Sequence, residues 1–214
     1  MPNNLLLFPE EHHLISGLDH IARQDPDFAL ALQQITPIPP RTKPAGFETL
    51  VRIIVEQQVS LASAAAIWKR LKAAIDPFTP AVALTFDETA LRALGLSKQK
   101  AVYTRALAEE IVGGQLILEK LHTLSDAKAM EMLMQVNGIG RWTAEVYLIA
   151  CLQRQDIWPA GDVALKIAMH HLKTLPERPS VKEMDELAAP LRPYRTLAAR
   201  ILWRYYADVV KKKP

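Results

Sequence analysis

Cysteine is almost absent: Cys151 is the single one in 214 residues. That excludes a disulfide framework, a zinc site built on cysteine thiolates and a four-cysteine iron–sulfur cluster. Glycine is scarce as well, at 8 of 214, about half the usual share of roughly 7%. A protein of many tight hairpins, or a glycine-rich nucleotide fold, is disfavoured. No stretch approaches the roughly 18 uncharged apolar residues of a membrane span, and residues 1–11 lack the basic opening of a secretory signal. A soluble protein that stays in the cytoplasm, with no membrane partner, is expected. There is no Gly-x4-Gly-Lys-Ser/Thr phosphate loop and no Gly-x-Ser-x-Gly nucleophile elbow. Gly138 and Gly140 begin a dinucleotide-like fingerprint, but Thr143 stands where its third glycine belongs. The six histidines, His12, His13, His20, His122, His170 and His171, form no i,i+4 pair of the kind that binds a metal on a helix.

What is present is a large apolar fraction, 50% of the residues, at a mean hydropathy of +0.02. That is enough to bury a core. Its apolar residues recur with a period near 3.6: Phe47, Leu50, Val51, Ile54; Ala64, Ile67, Trp68, Leu71; Val102, Ala106, Leu107, Ile111; Ile201, Leu202, Tyr205, Val209. Breakers separate them at Pro37, Pro39 and Pro40, at Asp76-Pro77 and at Gly113-Gly114. The pattern predicts an all-α protein of nine or ten helices, with an N-terminal helical segment (1–40) packing on a body (41–214) across a proline-rich linker at 36–44. Charge divides at the same place. Residues 1–40 hold one base, Arg23, against Glu10, Glu11, Asp19, Asp25 and Asp27, whereas the remainder holds 25 bases and 18 acids, a net +7. A polyanion would meet the second part. Lys211–Lys213 read as a solvated basic tail.

Two segments carry chemistry. Val136-Asn137-Gly138-Ile139-Gly140-Arg141-Trp142-Thr143-Ala144 follows a helical run, Asp126–Met134, and leads into another from Thr143. Two glycines around one apolar residue predict a tight helix-to-helix hairpin with positive φ at both, and with Ile139 plugged into the core. The N–H groups of Gly140–Thr143 would open the next helix as an anion site, for which a DNA phosphate is the natural ligand on a basic helical protein. The same pattern also describes a plain connecting turn. Trp158-Pro159-Ala160-Gly161-Asp162 precedes a further helix, with Asp162 at its N-cap. A cap carboxylate is favoured as the anion by the helix dipole, which suits a group meant to face a developing cation, although a cap needs no function at all. Trp68 and Trp203 lie on apolar helix faces and are expected in the core.

The combination of Gln57-Gln58-Val59-Ser60, assigned to one helix turn, the Gly138–Glu145 hairpin, and Pro159-Ala160-Gly161-Asp162 in that order resembles the helix-hairpin-helix DNA glycosylases, and within them the DNA-3-methyladenine glycosylase II (AlkA-type) branch. The resemblance covers roughly residues 37–210. It implies a two-lobed helical fold with the active-site cleft between the lobes, and a monofunctional glycosylase of base excision repair that flips out and hydrolyses alkylated purines such as 3-methyladenine and 7-methylguanine. Asp162 matches the essential aspartate. Gln58 matches the wedge that fills the gap left by the flipped nucleotide. Trp142 stands where lyase-competent members carry lysine, and Tyr194 matches a base-stacking aromatic; these two and Tyr147 form the expected base pocket. Gly138, Gly140, Arg141, Thr143 and Lys166 are the expected phosphate contacts. The family's monovalent cation would fall on the carbonyls of Met134, Val136 and Ile139; no other cofactor and no iron–sulfur cluster is expected. The implied partner is double-stranded DNA with a damaged base, met by a monomer. Glycosylases for deaminated or etheno bases, a non-catalytic DNA-binding module and a purely structural bundle fit the same residues.

Overall fold

A computed structural model describes residues 11–39 and 42–211, with side chains from residue 14 onward. Glu10, Pro40, Lys212 and Lys213 lie outside the described residues. Among those described there is no β-strand; the chain forms twelve α-helices, two short 3-10 helices and a terminal π turn. Two of the α-helices, α5 (Pro80–Ala83) and α6 (Glu88–Ala93), are too short to show a period, and they raise the number above the nine or ten expected. None is long and apolar enough to cross a membrane.

The chain divides into two compact units. One comprises 42–153; the other combines the described residues of 1–41 with those of 154–214. The first cut, between 41 and 42, falls inside the proline-rich segment 36–44. The second, between Gln153 and Arg154, falls where the sequence has neither proline nor glycine, so the two units do not follow the 1–40 and 41–214 boundaries.

In the 42–153 unit, α3 (Phe47–Glu56) is the central helix. Phe47, Thr49, Leu50, Val51, Ile53, Ile54 and Val55 are all buried, as expected of a broad apolar face whose charged stripe is confined to Glu48, Arg52 and Glu56. Around it pack α4 (Leu61–Ala74), α7 (Lys98–Val112) and α9 (Arg141–Ala150), while α8 (Asp126–Met134) pairs with α9. Ser60, Ser97 and Ser125 cap α4, α7 and α8 by accepting a backbone N–H from three residues on.

In the other unit, α12 (Arg195–Tyr205) is the central helix and packs on α1 (Glu11–Gln24), α2 (Pro26–Gln34) and α10 (Val163–Leu172). The acids of the N-terminal segment are employed here: Lys173, just after α10, holds Asp25 at 2.6 Å and Asp27 at 3.0 Å. Helix α11 (Val181–Ala188) begins with a reciprocal Ser180–Glu183 capping box.

Candidate active site

The hairpin joins α8 to α9, and Gly138 takes φ +94°. A Cβ on Gly138 would stand 2.1 Å from Tyr103 Cγ, so backbone conformation and close packing both demand glycine there. Gly140 differs from the expectation: it is extended, at φ −85° and ψ 177°, with nothing within 4 Å of a would-be Cβ. One left-handed residue suffices because the Ile139 N–H closes onto the Val136 carbonyl at 3.0 Å and completes the bend. Ile139 is buried as its plug role requires. As the N-cap of α9, Gly140 supplies no side-chain cap to the first helical turn.

The phosphate candidates separate. Arg141 is exposed, and its Nε donates to Glu145 Oε1 at 2.8 Å. Thr143 has its side chain buried, and its hydroxyl accepts the Gln57 amide at 2.9 Å, so that hydroxyl is committed within the protein. Lys166, in α10 of the other unit, is half-buried, with its charge acting on Glu183.

Gln57–Ser60 are not part of a helix turn. They form the sharp link between α3 and α4, in which Gln58 is exposed and adopts φ +54°, a conformation that non-glycine side chains avoid. Backbone strain of this kind persists where the surroundings over-determine it. Gln57 does part of that: its amide Nε2 donates to Gly138 O at 3.3 Å and to Thr143 Oγ1 at 2.9 Å.

Tyr147 is corrected. It is fully buried in the 42–153 unit, and its hydroxyl accepts the Gly46 N–H at 2.9 Å, at the N-terminus of α3. Burial pushes its pKa upward, with the Cys151 thiol acting in the same direction. With no exposed surface it lines no base pocket. Trp142, in the first turn of α9, is half-buried. Tyr194 belongs to the other unit, at the N-cap of α12, half-buried with its ring 5.3 Å from that of His20. Trp68 is half-buried rather than in the core, beside Phe78 at 5.0 Å.

Asp162 is the N-cap of α10 as predicted, and it is buried. Its Oδ1 accepts two hydrogen bonds, from Leu165 N at 3.0 Å and from the indole Nε1 of Trp203 at 3.1 Å. The preceding turn is anchored by Trp158, whose indole donates to Met184 O at 3.0 Å. Two donors on one oxygen hold the carboxylate in a single orientation at the positive end of a helix. Trp203 was expected only as core. Apolar periodicity marks which face is buried, but not that an indole N–H on that face meets an acid 41 residues earlier. Lys100 is a second such residue: from the first turn of α7 its ammonium donates to Val55 O at 2.8 Å and Gln57 O at 2.6 Å.

For a monovalent cation the donor set would be the neutral carbonyls of Met134, Val136 and Ile139. Backbone carbonyl oxygens with no carboxylate among them are donors of the kind that replace the hydration shell of a monovalent cation, and the Val136 carbonyl, while accepting the Ile139 N–H, keeps a second lone pair.

A left-handed glycine hairpin opening a helix and a strained glutamine turn tied to it lie in one unit, and a buried N-cap aspartate lies in the other, all on a helical fold. The model of the family described as HhH-GPD superfamily base excision DNA repair protein matches residues 51–193, and the chain belongs to that superfamily. Among its relatives is DNA-3-methyladenine glycosylase 1 of Schizosaccharomyces pombe, 32% identical over 166 residues, covering 76% of this chain and 73% of the relative. The Alkylbase DNA glycosidase-like protein mag2 of the same organism is 30% identical over 192 residues, covering 86% and 90%. The structure of the S. pombe 3-methyladenine DNA glycosylase Mag1 in complex with abasic DNA superposes with a TM-score of 0.81 at 30% identity, over 88% of this chain and 95% of that one.

Proposed function

We propose that this protein is a monofunctional DNA glycosylase that excises alkylated purines, 3-methyladenine and 7-methylguanine among them, from double-stranded DNA. The observation that carries the reading is Asp162: a buried carboxylate at a helix N-terminus, oriented by the Leu165 and Trp203 N–H groups. The names of the relatives and the abasic DNA in the Mag1 complex support the same substrate class.

A purine alkylated at a ring nitrogen is already cationic and leaves without a general acid. What the protein must supply is a flipped nucleotide, at a cost of a few kcal/mol in unstacking, and stabilisation of the oxocarbenium-like sugar. A carboxylate about 4 Å from unit charge, at an effective dielectric near 20, contributes about 4 kcal/mol, or roughly a thousandfold in rate. Asp162 carries that task and orients water toward C1′. Gln58 enters the gap left in the stack. The hairpin at Gly138 and Gly140, with Arg141 and Lys166, engages phosphates. Trp142 and Tyr194 stack on the electron-poor base, each such contact worth about 0.5–2 kcal/mol. With Trp142 at the position of the lyase lysine, no amine attacks C1′, and the strand stays intact after base release. A monovalent cation on the hairpin carbonyls would add positive charge where the strand passes. The protein acts as a monomer.

The test is mass analysis of bases released from methylated genomic DNA by the purified protein. Release of 3-methyladenine and 7-methylguanine, with strand breaks only after alkali, is expected. Release of no base, or of hypoxanthine or etheno adducts alone, refutes the assignment.

A further inference from the structure

The link that carries Gln58 is held from two sides. Its backbone is strained at φ +54°, and a turn with no more than its own hydrogen bonds would relax out of that conformation. Here the main chain is gripped by Lys100. Its ammonium, buried in the 42–153 unit, closes off the C-terminus of α3 by donating to the carbonyls of Val55 and Gln57, where the helix dipole favours a cation. The side chain of Gln57 is gripped by the hairpin, through Gly138 O and the Thr143 hydroxyl. That hydroxyl belongs to α9, the helix the hairpin opens, and Gly138 O belongs to the one left-handed residue of the bend. Gln57 is therefore fixed at both ends, and the residue next to it is the exposed one.

We propose that Lys100 and Gln57 are positioning residues that lock the Gln58 turn to the Gly138 hairpin, so that gripping the strand and filling the vacated stack occur as one rigid-body event. The inference rests on the glycosylase reading for its use, though the lock itself is a property of the fold. Lys100 is not a nucleophile in this scheme, since its ammonium is committed to two carbonyls. Without the lock, Gln58 would have to be ordered at the moment of insertion, and that ordering would be charged to the flipping step.

The experiment compares wild type, Lys100→Met and Gln57→Leu by two readouts. One is single-turnover release of 3-methyladenine from a paired duplex and from a single strand that needs no flipping. The other is amide hydrogen exchange at residues 57–60 and 138–141. The expected result is a loss of roughly 10- to 100-fold on the duplex, on the scale of a lost charge-assisted hydrogen bond for Lys100→Met and of two lost neutral ones for Gln57→Leu, with the single-strand rate within about threefold of wild type because no flipping is needed there. Exchange should rise at both segments together in either variant. Gln57 is only half-buried, so Gln57→Leu decides the matter if Lys100→Met does not fold. Equal losses on both substrates, or faster exchange at 57–60 with 138–141 unchanged, overturns the proposal. If wild type releases no base from either substrate, the glycosylase assignment falls, and the exchange data still decide whether the two segments move as one.

Discussion

Replacing Asp162 by asparagine and by alanine separates its two roles. Its Oδ1 accepts the Leu165 N–H and the Trp203 indole N–H, and an asparagine carbonyl can accept both, so Asp162→Asn keeps the cap and removes only the charge. Stability should change by no more than about 1 kcal/mol, while base release should fall by roughly a thousandfold, the Coulombic contribution of about 4 kcal/mol derived for unit charges about 4 Å apart. Asp162→Ala removes the cap, worth about 0.5–2 kcal/mol, and also the acceptor of a buried indole, about 1–3 kcal/mol. The alanine variant should be destabilised by about 2–4 kcal/mol, a Tm lower by roughly 5–15 °C for a domain of this size, with activity no worse than that of the asparagine variant. Thermal unfolding alongside single-turnover release from a 3-methyladenine duplex measures both. An asparagine variant that excises within tenfold of wild type, or that unfolds as early as the alanine variant, refutes the reasoning, because charge and cap would not then be separable.

Gly138→Ala meets Tyr103 at 2.1 Å and needs φ +94°, so it should cost about 2–4 kcal/mol in urea unfolding, whereas Gly140→Ala, extended and open, should cost at most about 1 kcal/mol; equal effects would contradict the hairpin geometry. Tyr147→Phe removes the acceptor of the Gly46 N–H and should lower stability by about 1–3 kcal/mol with an unaltered spectrum of released bases; a changed spectrum would return Tyr147 to the base pocket. Burial pushes the Cys151 thiol up to about 12, against the opposing pull of Lys43. At pH 8 the thiolate population should therefore be depressed by about a thousandfold relative to the unfolded chain, and a thiol reagent should label Cys151 only on denaturation. Prompt labelling of the native protein would show that the site is open.

The helical class was legible because its signals are local. Helix α8 runs over the predicted Asp126–Met134, helices end at the predicted breakers before Asp76-Pro77 and at Gly113, and Asp162 caps α10. Gly138, Ile139 and the cap were readable for the same reason: a turn or a helix start is decided within a few residues. What was not legible depends on groups far apart in sequence. The burial of Tyr147 follows from the Gly46 N–H 101 residues earlier, the role of Trp203 from Asp162, and that of Lys100 from the end of α3. Lysine in a first helical turn ordinarily belongs to a solvated face, and no periodicity distinguishes one that reaches two carbonyls. The Gln57–Ser60 link reads as helix in the sequence because it contains neither proline nor glycine, and its left-handed residue is a glutamine. The second cut between units, at 153–154, was invisible because no linker composition marks it.

The division of the chain has a consequence for its birth on the ribosome. Residues 42–153 are continuous and can collapse as soon as they have left the exit tunnel. The other unit cannot. Its first helices emerge early but must wait, with Phe28 and Ile21 still wet, until the segment carrying α12 is translated about 160 residues later. Through that interval Asp25 and Asp27 have no Lys173 to bind, and the acidic character of the early segment helps to keep it dissolved while it waits.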